Sequence, residues 1–279
     1  INIAKNYFKT SKYDMRNMYD VYDQSNKKDT YLITFPQEFL KDFENKIFPL
    51  SGVSKSHLVN CNENGYYSII ETDRYGFNNP DDVWNSKEID YFLIGDSSTM
   101  GSCVNRPNDP GSLIRKKMKK NVLNLGFGGN GPLMNLATLI EYLPKNTEKI
   151  LWIHHPNDMT DLQRELQNPI LLNYLNNIQF KQDLIKKQSS VNVLQKAKAK
   201  ISANLYKNKK KYELKFDQFI RLQNLRNNLR EITKTTNVYR NKLYENFPYN
   251  EFQTILKSAD NLSKKNNSNL YFIYIPSYY

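Results

Sequence analysis

The stretch Tyr91-Phe-Leu-Ile-Gly-Asp-Ser-Ser-Thr-Met-Gly101 sets an apolar run directly against a glycine-flanked turn. Tyr91–Ile94 predicts a buried strand, and Gly95 and Gly101 bound a tight turn at its carboxyl end. The same grammar recurs downstream. Val122-Leu-Asn-Leu125 runs into Gly126-Phe-Gly-Gly-Asn-Gly131, and Ile150-Leu-Trp-Ile153 runs into His154-His-Pro-Asn-Asp158. Leu270–Ile275 predicts a fourth buried strand. Between the strands lie helical patterns. Asp109 is placed as an N-cap with Pro110 in the first turn, and Leu113, Ile114 and Met118 form the expected buried face. Leu133, Leu136, Ala137, Ile140 and Leu143 mark a second helix. Glu251–Leu262 marks a third, with Phe252, Ile255, Leu256 and Ala259 on one side. Strand–helix alternation implies a parallel sheet covered on both faces, an α/β chain of three-layer α/β/α, flavodoxin-like form.

Composition agrees with a packed domain. The chain has 279 residues, 39% of them hydrophobic and 13% aromatic, too many for a disordered chain. No apolar run approaches the ~18 residues of a membrane span. Cys61 and Cys103 are too few for a disulfide framework or a four-cysteine zinc site and say little about compartment, and Cys103 is expected as a small packing residue. The net charge is +12, and residues 161–270 carry all of the excess. No nucleic-acid motif accompanies it, so a solvated basic insert is expected, with no nucleic-acid partner. Its apolar positions fall into two stripes, Leu171, Leu175, Ile178 and Ile185 on one and Leu222 to Leu243 on the other. Two paired helices would bury both.

The expected division is an N-terminal extension at 1–88, a core at 89–160 and 248–279, and a basic helical-hairpin insertion at 161–247. Within the extension, Tyr31–Phe35 predicts a strand, Pro36–Phe48 a helix, 51–65 a loop and Tyr66–Ile70 a strand. The chain starts with Ile1 and its last strand lies close to Tyr279, so the expectation is a piece of a longer protein.

In a parallel sheet, chemistry gathers at the carboxyl ends of the strands. Three loops of this chain would face one crevice there. Ser97 sits at the start of a helix, where backbone N–H groups can hold developing negative charge. The glycine-rich loop after the second strand admits a backbone N–H close to a substrate, with Gly126, Gly128, Gly129 and Gly131 all eligible. Asn157 on the third loop adds a side-chain amide. A hydroxyl nucleophile with three neutral donors describes acyl transfer. The base is what is missing. Of the three histidines, His154 and His155 are near enough in sequence to be considered, and adjacent strand-end residues point to opposite faces.

These blocks resemble the SGNH hydrolases, also called GDSL esterases and lipases. Gly95-Asp96-Ser97 matches their nucleophile block, and the Asn124-led glycine loop matches their second, with Gly129 in the donor position. Asn157-Asp158 matches the end of their third block, in which His155 replaces the usual glycine. The Asp-x-x-Gly-Phe-x-Asn pattern inside Asp73–Pro80 is similar to bacterial members. The resemblance covers roughly 70–160 and 250–279. It implies an ester hydrolase working through an acyl-enzyme, with Ser97, Gly129 and Asn157 as site residues, no cofactor and no metal. It implies a glycan O-acyl or lipid-like ester as substrate. Asp96 is then structural, and Ser98 and Thr99 are turn residues. The family's Asp-x-x-His block would fall beyond Tyr279. The rival readings are a non-catalytic binding module of the same fold, a polysaccharide O-acyltransferase, and an interaction protein whose basic helical hairpin at 161–247 binds an anionic surface or partner. Membrane contact, oligomeric state and a cytoplasmic or envelope location stay open.

Overall fold

The structure is a computed structural model and describes residues 14–177, 179–213 and 247–276. Helix α1 (Met18–Asp23) precedes a small sheet. In it β1 (Thr30–Leu32) runs parallel to β2 (His57–Val59), which pairs antiparallel with β3 (Ile69–Glu71). The remaining elements are β4 (Ile89–Ile94), α2 (Ser97–Met100), α3 (Pro110–Met118), β5 (Val122–Asn124), α4 (Pro132–Tyr142), β6 (Thr147–His154), α5 (Asp158–Glu165), α6 (Pro169–Asn176), α7 (Gln188–Glu213), α8 (Tyr249–Lys265) and β7 (Asn269–Tyr274).

The main sheet has the order β5-β4-β6-β7 and every pair is parallel. This is the expected mixed α/β architecture, and its order reverses between β4 and β6, the switch point of an open sheet. Right-handed crossovers put α3 on one face and α4 and α8 on the other, where α4 and α8 pack together. Phe92, Ile94, Ile150 and Trp152 are fully buried beneath that pair. One hydrophobic cluster runs from Ile33 through the sheet to Ala259, so the N-terminal stretch and the main sheet share a core.

Several local expectations give way to tertiary contacts. The helix expected over Pro36–Phe48 is only a 3₁₀ turn at Pro36–Phe39. Phe39, Ile47 and Phe48 still reach the core, and the Phe48 N–H donates to Gln182 Oε1 instead of continuing a helix. Strand β2 lies inside the stretch expected as a loop, and partners on both sides hold it. In α3 the inward residues are Gly111 and Ser112, while Leu113 and Met118 are exposed. The helix lies close to β5 here, where a Cβ on Gly111 would stand 3.0 Å from Asn124 Cβ. Leu270–Ile275, expected as a buried strand, forms the exposed edge β7 among the described residues, with Tyr271 46% accessible.

The stretch 171–185 is not one long helix. Helix α6 ends at Asn176 and buries Leu171 and Tyr174, Ile185 is exposed, and Ile178 lies outside the described residues. The Leu222–Leu243 stripe also lies outside them. Helix α7 packs on β1 and α1, and Gln195 Nε2 donates to Ser51 O.

Cys103 does more than fill space. It forms a disulfide with Cys61 that ties the loop after α2 to the end of β2. Neighbouring bonds reinforce the tie: Asn64 Nδ2 donates to Cys103 O at 2.9 Å, and Ile69 N donates to Asn105 Oδ1 at 2.8 Å. With the two cysteines 42 residues apart in sequence, loop-closure entropy gives the cross-link about 4 kcal/mol. The chain unfolded without reductant should show no titratable thiol, and Cys61→Ser/Cys103→Ser should lower the urea midpoint accordingly.

Candidate active site

The turn after β4 leaves no room for side chains. A Cβ on Gly95 would stand 2.1 Å from Thr99 Oγ1 and 2.6 Å from Ile153 O, so glycine lets the chain turn against β6. Asp96 caps α2, accepting Ser98 N at 2.9 Å and Ser98 Oγ at 2.5 Å. Its structural role is as expected from the sequence. Ser97 opens the helix and is half-buried. Its hydroxyl and its backbone N–H make no hydrogen bond with any described residue, while its carbonyl accepts Ser102 N at 2.9 Å.

The glycine loop after β5 separates the four candidate donors. Gly126 N donates to Asn124 Oδ1 at 3.0 Å, and Gly131 N donates to Glu165 Oε1 at 2.7 Å. Both are occupied. Gly128 and Gly129 N–H groups make no hydrogen bond among the described residues. Gly128 is buried against Phe35, whereas Gly129 is half-buried, holds φ +76 and faces the Gln37 side chain. The loop touches the serine turn directly: Phe127 N donates to Gly95 O at 3.1 Å.

The third loop follows β6. The register sets Leu93 beside Asn124 and Ile94 beside Trp152, so all three strands end at one edge of the sheet. Asn157 is exposed before α5, and its Nδ2 lies 3.3 Å from Asp158 Oδ1. No hydrogen bond joins Ser97, Gly129 and Asn157 to one another. His154 is buried among Phe252, Phe272 and Tyr274, with Nδ1 3.3 Å from Asp158 Oδ2. Burial, with His155 adding to it, lowers its pKa to about 4, so the ring is neutral at pH 7. His155 Nε2 is buried without a partner, and His57 lies on β2. None of the three bonds to Ser97.

Carboxyl groups crowd the same edge. Burial first, then the charge of Asp96, raises Asp158 to about 8. Burial raises Glu165 to about 8, against the pull of the Leu133 and Gly131 N–H groups it accepts. Burial likewise raises Asp161. Among the described residues no group of three or more His, Cys, Asp or Glu could hold a metal ion.

Two residues that the sequence shows only as members of motifs, with no role of their own, hold the arrangement in place. Asn124 Nδ2 donates to Thr99 O at 2.6 Å while its Oδ1 accepts Gly126 N, joining the serine turn to the glycine loop. Asn79 sits behind it. Its Nδ2 donates to Asn124 O and Asp73 Oδ2, and its Oδ1 accepts Asn124 N and Arg115 Nη2. Asp73 also accepts Tyr75 N, Phe77 N and Trp84 Nε1. The available signal was an amide residue ending an otherwise apolar strand, which must find partners once buried.

Comparison with protein-family models, with curated proteins and with solved structures finds no match to this chain.

Asn124→Ala should orphan buried Thr99 O and Gly126 N and lower stability by about 2–4 kcal/mol, read from urea unfolding. Asp158 and Glu165 keep their protons in the fold to about pH 8 but ionise from 3.8 and 4.5 when unfolded. Between those pH values the folded chain binds more protons, so stability falls as pH rises through the window. The melting temperature should therefore be higher at pH 5.5 than at pH 8.5, and Asp158→Asn should flatten the dependence.

Proposed function

We propose that this chain carries the nucleophile and oxyanion hole of a serine esterase resembling the SGNH hydrolases. One observation carries the reading: among the described residues Ser97 Oγ, Ser97 N–H and Gly129 N–H have no hydrogen-bond partner, while Gly126 and Gly131 are occupied and Gly128 is buried against Phe35. Ser97 Oγ attacks the ester carbonyl, and its proton passes to a base. The tetrahedral oxyanion takes hydrogen bonds from the Ser97 and Gly129 N–H groups and from Asn157 Nδ2. Collapse expels the alcohol and leaves an acyl-serine, which water then hydrolyses to free the acid and restore the hydroxyl. No step calls for a metal or an organic cofactor.

The substrate class, a glycan O-acyl or lipid-like ester, comes from the resemblance alone. The disulfide favours an oxidising compartment, the envelope side of the alternatives left by the sequence. A second reading, a non-catalytic module of the same shape, draws on the absence of any hydrogen bond from Ser97 to a histidine. The catalytic reading requires a base that the described residues do not supply.

The test uses protein made from the whole coding sequence. It should hydrolyse p-nitrophenyl acetate, Ser97→Ala should abolish turnover, and Asn157→Ala should cut kcat by roughly 100–1000-fold, the usual cost of one oxyanion donor. Equal turnover in Ser97→Ala would reject the nucleophile, and no turnover in the parent would favour the binding module.

A further inference from the structure

Helix α7 has a buried stripe on one side and an exposed apolar stripe on the other. Val191, Gln195, Ala199 and Ala203 recur every fourth residue and are buried against the N-terminal sheet. Offset by two residues, roughly 200° around the helix, Val193, Ala197, Ile201 and Leu205 form a second stripe. This one faces out, with Val193 67%, Ile201 55% and Leu205 64% accessible. Single exposed apolar residues are ordinary, but an aligned row of three large ones is not.

The charge beside the row is of one sign. From Gln188 to Lys207 the helix carries lysines and no acidic residue. Lys198 is occupied by Asp42, at 2.7 Å, and Lys196 lies over the Tyr31 ring, with Nζ 5.3 Å from its centroid. Lys200 and Lys207 are exposed on the outer side and make no ion pair among the described residues.

We propose that the outer face of α7 lies in the plane of an anionic lipid surface. The aliphatic row enters the boundary between headgroups and acyl chains, and Lys200 and Lys207 reach the phosphates. A nucleic acid would satisfy the lysines but leave the aliphatic row in water. A lipid interface satisfies both. No helix among the described residues is long and apolar enough to cross a membrane, and an in-plane contact needs none. The proposal stands independently of the esterase reading, since it uses no residue of the site.

The experiment is flotation of the protein with vesicles of phosphatidylcholine alone or mixed with phosphatidylglycerol. Binding is expected only with the anionic vesicles and should weaken in 0.5 M salt. Ile201→Glu/Leu205→Glu should reduce binding at least tenfold, and Lys200→Gln/Lys207→Gln severalfold. These positions are exposed, so an unchanged melting temperature shows that the variants fold. Absence of binding, equal binding to neutral vesicles, or undiminished binding by the Ile201→Glu/Leu205→Glu variant would each overturn the proposal. So would retention on heparin or DNA that outcompetes the vesicles and survives that substitution.

Discussion

The arrangement at the sheet edge depends on one side-chain amide. Asn124 ends β5 with its carboxamide buried, and the two halves of that group reach in different directions. The nitrogen holds the last turn of the serine helix at Thr99 O, and the oxygen holds the glycine loop at Gly126 N. A parallel sheet fixes only where strands end. It does not fix how the loops beyond them lie relative to each other, because each loop belongs to a different crossover. A buried amide supplies that relation, since leaving either half unpaired costs more than the bond itself contributes. Asn79 repeats the device one layer back, fixing Asn124's own backbone to the Asp73 turn and to Arg115.

Carboxylates would disfavour the proposed oxyanion, yet Asp96, Asp158, Asp161 and Glu165 interact at this edge. Burial resolves the conflict. It holds Asp158 and Glu165 largely protonated at neutral pH, so they act as hydrogen-bonding groups with little charge. Glu165 then positions the α4 end of the glycine loop by accepting the Gly131 and Leu133 N–H groups. That contact removes Gly131 from the possible donors, leaving Gly129 more accessible than Gly128.

The parts legible in the sequence are those with a strong local period. Strands β4, β5 and β6 are short apolar runs ended by glycine or a turn, and α4 and α8 keep helical spacing across several turns. The parts that were not legible depend on distant partners. Phe39, Ile47 and Phe48 have helical spacing, but Gln182 captures the Phe48 N–H from 134 residues away and the helix does not form. Strand β2 is three residues long, too short for any period, and its neighbours define it. Leu113 and Met118 looked inward because they are apolar, yet α3 approaches β5 through its smallest residues instead. At the site, residue type and order point to Ser97 and Asn157 and leave four glycines eligible, among which only the resemblance to the SGNH hydrolases selects Gly129. The roles of Asn79, Asn124 and Glu165 were not legible, because a buried polar residue announces itself only through its partners.

Much of the support for the candidate site comes from outside the alternating core. Phe35 and Gln37 border the glycine loop, Asn79 secures β5, and the disulfide to Cys61 holds the loop after Ser97. Phe35, Gln37, Cys61 and Asn79 all lie between residues 14 and 88, a stretch whose Ile33, Phe48, Leu58 and Phe77 share the core of the main sheet. The reason is geometric. The helix that opens with Ser97 is a single turn, too short to be stable alone, and its flanking loops are rich in glycine, which carries the largest backbone entropy to be lost. Preorganised donors help catalysis only if their geometry is fixed before substrate arrives. A one-turn helix and a glycine loop cannot fix themselves, so the ordering must come from a second layer packed behind them. In this chain the N-terminal extension is that layer.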